Sequence, residues 1–212
     1  MEEKDSLLIP SYKEKFSGIL LFGPPGSGKG MLGKFLSSAG SQYHLSTGDI
    51  FRALPSSSPA GKLFYSYASR GLLVPDDPTI EIWRRYVQGL MAINAFNPES
   101  QDILLDGMPR TLKQAEILQN FVHVRHVIVL EVSNKEELLF RMQKKMRLEG
   151  RVEEIEMKVL EKRLEVYEKG IGALLDFYPH HLISKINGGQ RPLEVLRDVL
   201  VRLSHLLSRE VP

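Results

Sequence analysis

Residues Gly23 to Gly30 read GPPGSGKG, directly after the apolar run GILLF (Gly18 to Phe22) and directly before a stretch in which Leu32, Phe35 and Leu36 recur at helical spacing. Glycines at this density let backbone N–H groups turn inward around phosphate oxygens. The start of the following helix adds a partial positive charge, and Lys29 adds a full one. A strand, a G-x4-G-K loop and a helix in that order predict a phosphate-binding loop at the first strand-to-helix turn of an α/β sheet.

The rest of the chain extends the pattern. Short apolar runs at Ile103 to Leu105, His126 to Val132 and Leu182 to Ile186, with a brief one at Tyr43 to Leu45, suit buried parallel strands. Between them lie helical stripes: Leu138, Met142 and Met146; Leu160, Leu164 and Tyr167; and Leu193, Leu196, Leu200, Leu203 and Leu207. This alternation predicts a three-layer α/β fold around a five-stranded parallel sheet, as a single domain spanning 1–212. The expected core is 17–45, 75–143 and 155–212. Two segments interrupt it: 46–74, rich in proline and serine, and the polar 144–154. A polar extension is expected over 1–16.

Composition narrows the function classes. The 212 residues contain no cysteine, which excludes disulfides, iron–sulfur clusters, thiolate nucleophiles and Cys-containing zinc sites. The six histidines form no HExxH pattern. With 28 Lys+Arg against 26 Asp+Glu, the net charge of +2 argues against a broad face for nucleic acid. The N-terminal stretch MEEKDSLLIPSYKEKF resembles neither a signal peptide nor a membrane span, so a cytoplasmic protein with no membrane partner is expected.

Gly30 stands where a Walker A motif carries the Ser or Thr that reaches Mg²⁺. The run DILLD ends in Asp106, a Walker-B-like carboxylate placed to hold Mg²⁺ through water or, alternatively, to cap the next turn. Asn134-Lys135-Glu136-Glu137 narrowly misses the N-K-x-D of regulatory GTPases, and Asp106-Gly107-Met108-Pro109 lacks the DxxG glycine.

Taken in order, GPPGSGKG, HLSTGDIFRA, GLLVPDD, LLDGMPRTLKQAE and GRVEE make a chain that resembles the adenylate kinases of the nucleoside monophosphate kinase family, short-lid type. The resemblance runs from about Gly18 to Leu196. It implies transfer of the γ-phosphoryl of ATP to AMP, giving two ADP, with Mg²⁺ and without zinc. It also implies roles. Gly26, Ser27, Gly28, Lys29, Gly30 and Met31 hold ATP, with Arg141, Lys145 and Gln190. Thr47, Arg52, Leu72, Leu73, Val74, Gly107, Arg110 and Gln114 hold AMP, with Arg151 and Arg163 reaching the transferred group. Lys29, Arg110, Arg141, Arg151 and Arg163 form the catalytic set, and Asp49 and Asp106 hold the water shell of Mg²⁺. Thr47 with Gln114 favours AMP over pyrimidine acceptors, whose kinases usually carry Ala and Asn there. Asp49 has an alternative as the cap of a helix through Ile50 and Phe51.

Some positions depart from the pattern. Met31 replaces the family's threonine, Lys145 the second arginine of Arg-x3-Arg, Glu153-Glu154 an Asp pair, and Met108 a phenylalanine. Two alternatives follow: a nucleotide-binding protein of this fold with weak or lost turnover, and a UMP/CMP kinase. A monomer is expected, its segments 46–74 and 144–154 closing over the nucleotides, with Trp83 near the first. Seven cations (Lys29, Arg52, Arg110, Arg141, Lys145, Arg151, Arg163) are expected in one crevice, leaving 21 basic against 26 acidic residues elsewhere.

Overall fold

The computed structural model describes residues 15–40, 42–150 and 156–207. Among these residues, five strands, β1 (Phe16–Phe22), β2 (Gln42–Ser46), β3 (Asp102–Asp106), β4 (Val122–Glu131) and β5 (Ile183–Asn187), lie in the order β2-β3-β1-β4-β5, and every pairing is parallel. The helices are α1 (Lys29–Ala39), α2 (Thr47–Arg52), α3 (Pro59–Ala68), α4 (Asp76–Ala92), α5 (Leu112–Leu118), α6 (Lys135–Leu148), α7 (Met157–Phe177) and α8 (Pro192–Leu207).

The middle stretches of β1, β3 and β4 are apolar because both faces of the sheet are covered there. Leu20 and Phe22 of β1, Ile103 and Leu105 of β3, and Val127 and Val129 of β4 pack on one face with Trp83 of α4, Leu118 of α5 and Leu174 of α7. The intervening Ile19, Leu21, Leu104, Ile128 and Leu130 point to the other face, against Leu32 and Leu36 of α1 and Val195, Val199 and Leu203 of α8. That two-residue alternation makes three layers. A separate apolar cluster, Leu138, Met142 and Met146 with Leu160 and Leu164, joins α6 to α7.

The structure moves several expected boundaries. β1 starts at Phe16, which is buried and pairs with Val122, so the core claims a residue assigned to the polar extension. β4 starts four residues before His126 and ends at Glu131, short of Val132. Leu182 belongs to a 3-10 turn before β5. Phe35, Leu193 and Leu200 are exposed, not core. Trp83 is wholly enclosed, edge-on to Phe16 and Phe121, and so belongs to the core rather than to segment 46–74.

Candidate active site

The site forms where parallel strands end, since their C-terminal ends point one way and the chain must leave the sheet there. β1 delivers the phosphate loop, β2 delivers Ser46 and α2, and β3 delivers Asp106. In the loop, Gly26 and Gly28 have φ of +86° and +99°, and a Cβ on Gly26 would lie 2.8 Å from the carbonyl oxygen of Leu138. Glycine alone allows both the turn and the close approach of α6.

Lys29 folds back over its own loop, its Nζ donating to the carbonyls of Gly23 (2.7 Å) and Pro24 (3.1 Å). Burial pushes its pKa down to about 8, against the pull of Asp106. Asp106 is buried, yet its pKa is lowered. Burial alone would raise it, and His44, Lys29 and Arg110 outweigh that cost. His44 Nε2 lies 3.8 Å from Asp106 Oδ2, an ion-pair distance rather than a hydrogen bond. Its ring packs on α1 at Gly33, where a Cβ would come within 2.2 Å of it. Asp106 therefore faces the phosphate loop and does not cap the following turn.

A cleft of 780 Å³ joins these groups to the rest. Its walls carry Gly26, Gly28, Gly30 and Met31 of the loop, Thr47, Asp49 and Arg52 of α2, Leu72 to Val74, Gly107, Arg110 and Gln114, Arg141 and Lys145 of α6, and Arg163 of α7. Each cation has a local protein partner. Arg52 pairs with Asp49, Arg110 Nε donates to Gly107 O (2.7 Å), and Arg141 reaches Glu137 (2.5 Å) and Gly188 O (3.1 Å). Lys145 lies 3.7 Å from Glu149, and Arg163 donates to Ala68 O at 3.4 Å. Ser46 Oγ, not Asp49, caps α2, accepting from the Asp49 N–H at 3.3 Å.

Thr47 and Gln114 are both buried in the cleft wall. The Thr47 hydroxyl has no protein partner among the described residues. Gln114 Oε1 accepts from Arg110 N at 2.8 Å, and Nε2 donates to Asp76 Oδ1 at 2.9 Å. A wall with a phosphate loop, converging cations and a buried amide suits two nucleotides facing each other.

Comparison with known proteins agrees with this geometry. The family profile described as adenylate kinase matches residues 21–183. A protein named adenylate kinase from Cyanothece sp. is 34% identical over 201 residues, covering 90% of this chain and 95% of the relative. Adenylate kinases of Flavobacterium psychrophilum (32% over 197 residues, 90% and 97% covered) and Clostridium botulinum (31% over 224 residues, 91% and 99% covered) are also similar. This chain belongs to the adenylate kinase family.

Seen as an adenylate kinase fold, most of the residues expected at the site do share the cleft. Ser27 and Gln190 do not. They line an adjoining pocket of 290 Å³ with Met31, Phe35, Arg141, Gly188 and Pro192. The Gln190 side chain donates to Asp198 (2.8 Å) and to Asn187 O (3.1 Å), so both of its N–H groups are engaged. Arg151, Glu153 and Glu154 lie outside the described residues. Sequence reasoning missed Lys34 and Phe35 in the cleft wall, and His44 behind Asp106. Phe35 lies one helical turn beyond Met31, which signals a shared face; nothing local marks His44.

Proposed function

We propose that this cleft transfers the γ-phosphoryl of ATP to AMP, giving two ADP, with one chain supplying every group required. The observation that carries the reading is convergence. Lys29, Arg52, Arg110, Arg141, Lys145 and Arg163 come from the loop, α2, the turn after β3, α6 and α7, and meet in a single cleft.

The reaction asks for little covalent chemistry. A phosphate oxygen of AMP approaches the γ-phosphorus in line, and ADP leaves on the far side, so the protein must position two polyanions and neutralise the charge between them. The loop N–H groups and Lys29 hold the donor phosphates. Arg141 and Lys145 cover the donor, Arg52 and Arg110 hold the AMP phosphate, and Arg163 reaches the transferred group from α7. Arg151 is assigned the same task. Leu72, Leu73 and Val74 line the AMP base with Thr47 and Gln114, and Gly107 leaves room beside Arg110. Segments 46–74 and 144–154 close over the pair, excluding water that would otherwise hydrolyse ATP.

The acidic groups present fit Mg²⁺. Among the described residues no cluster of three or more His, Asp or Glu forms a cage. Asp106 and Asp49 nevertheless share the cleft wall with the phosphate loop, the arrangement an ion needs when it keeps several waters and takes phosphate oxygens. Both would hold it through water, and Mg²⁺ bound there would spread the charge developing on the β- and γ-oxygens. No described helix is long and apolar enough to cross a membrane. We place the protein in the cytoplasm as a monomer, in keeping with a cysteine-free chain whose active groups all come from one polypeptide.

The decisive assay compares wild type with Lys29→Met in ATP, Mg²⁺ and AMP. The variant should lose ADP formation by about a hundredfold or more, as expected when a preorganised charge donor is removed. Equal rates would sink the enzyme reading and leave a nucleotide-binding protein. An acceptor panel of AMP, CMP, UMP, GMP and dTMP then tests the choice of base.

A further inference from the structure

Asp76 opens α4 and does not line the cleft, yet it is tied to the residue that does. Its Oδ1 accepts from Gln114 Nε2 (2.9 Å) and from Thr111 Oγ1 (2.8 Å). Thr111 in turn caps α5, accepting from the Gln114 N–H at 3.1 Å. The other end of the Gln114 amide accepts from Arg110 N at 2.8 Å.

A carboxylate oxygen accepts and a backbone N–H donates, and neither reverses its role. The Gln114 amide therefore has one orientation. Turned over, it would set N–H against N–H at Arg110 and oxygen against oxygen at Asp76. One N–H and one oxygen lone pair remain for a bound base, each in a fixed place.

That fixed pair separates two kinds of purine. Adenine presents a donor at its 6-amino group beside an acceptor at N1. Hypoxanthine presents an acceptor at its 6-oxo group beside a donor at N1–H. An unconstrained glutamine serves both by rotating its terminal amide. A locked one meets the 6-oxo base donor-to-donor and acceptor-to-acceptor, leaving buried polar groups unpaired. Thr47 cannot discriminate in this way, because a hydroxyl both donates and accepts.

We infer that Asp76 is a positioning residue that sets acceptor specificity, locking the Gln114 amide so that the cleft takes a 6-amino purine monophosphate and refuses a 6-oxo one. The inference rests on the AMP-acceptor reading above.

The test measures kcat/KM for AMP and for IMP, with ATP as donor, in wild type, Asp76→Ala and Asp76→Asn. ATP affinity by calorimetry reports that each variant is folded. Asp76→Ala removes the charged one of the two anchors, leaving only the Arg110 N–H to set the amide, and should lower the AMP-to-IMP ratio by about tenfold or more, the worth of roughly one buried hydrogen bond to a charged group. Asp76→Asn keeps an acceptor oxygen and should retain most of the ratio. If Asp76→Ala slows both acceptors equally and leaves the ratio unchanged, Asp76 is merely structural and the inference is overturned. A wild type with no rate on AMP would overturn the acceptor reading and this inference with it. A wild type active on AMP with an unchanged ratio in Asp76→Ala would overturn the lock alone.

Discussion

Met31 is the residue at which this chain departs most pointedly from its family's phosphate loop. It is 44% exposed and borders both the main cleft and the adjoining pocket, so its thioether faces nucleotide space with no hydroxyl to offer. A hydrogen bond to a charged group contributes roughly 1.5–3 kcal/mol, which corresponds to about tenfold or more in affinity. Met31→Thr should therefore tighten ATP binding by about that factor while leaving the KM for AMP unchanged. Titration calorimetry with ATP, alongside initial rates against AMP, checks both halves, and an unchanged ATP affinity would refute the assignment. At this scale the sequence was legible wherever a residue's role is set by its immediate neighbours. The loop glycines and Lys29 announce themselves within eight residues. His44 does not, because its closeness to Asp106 arises from the pairing of β2 with β3, which sets His44 opposite Leu104 two positions short of that carboxylate.

Elements were readable in type but not always at their edges. Asn134 to Glu137 shows why: the near miss to a GTPase motif is the start of α6, where Asn134 Oδ1 accepts from the Glu137 N–H at 3.0 Å and caps the helix. β4 was legible only from His126 because its first residues, Val122 to Arg125, include the exposed His123 between better-buried neighbours. The junction of β4 with β5 carries its own pH dependence. His126 Nε2 lies 2.9 Å from Ser184 Oγ, the residue is 3% exposed, and Nδ1 has no partner among the described residues. Burial first, and then the charge of Arg202, push its pKa down to about 4 from 6.5. Above 6.5 the ring is neutral in both folded and unfolded chains. As pH falls below 6.5 the unfolded chain takes up a proton that the folded one refuses until about 4, so stability drops by up to about 1.4 kcal/mol per pH unit across that window. Urea unfolding at pH 7, 6 and 5 should show a steeper loss in wild type than in His126→Leu. Parallel slopes would show that the ring titrates alike in both states.

Across the whole molecule, charge is sorted. Among the described residues the cleft wall holds seven basic residues, Lys34 and six of the seven expected there, the seventh, Arg151, lying outside those residues, against Asp49, Asp106 and Glu149. That excess of four exceeds the net +2 of the chain, so the remainder carries slightly more acid than base. Such a cleft gathers polyanions, but its cations are engaged: Arg52 by Asp49, Arg141 by Glu137, Lys145 by Glu149. Nucleotide phosphates must displace these exposed or half-exposed pairs, each worth about 1 kcal/mol or less, so the exchange costs little. On the proposed roles, cations carried on α2, α6 and α7 reach the same phosphates, and this should draw those elements together. A dinucleotide linking two adenosines through five phosphates spans donor and acceptor sites at once and should compact the protein. A domain of 212 residues has a compact radius of gyration of about 17 Å. Small-angle scattering should show the radius falling toward that value on saturation, and Lys29→Met should weaken the effect. Emission from Trp83 should stay constant through the titration, because its ring lies within the core between Phe16 and Phe121 rather than on a moving segment. An unchanged radius at saturation would mean that the nucleotides meet in a cleft already closed.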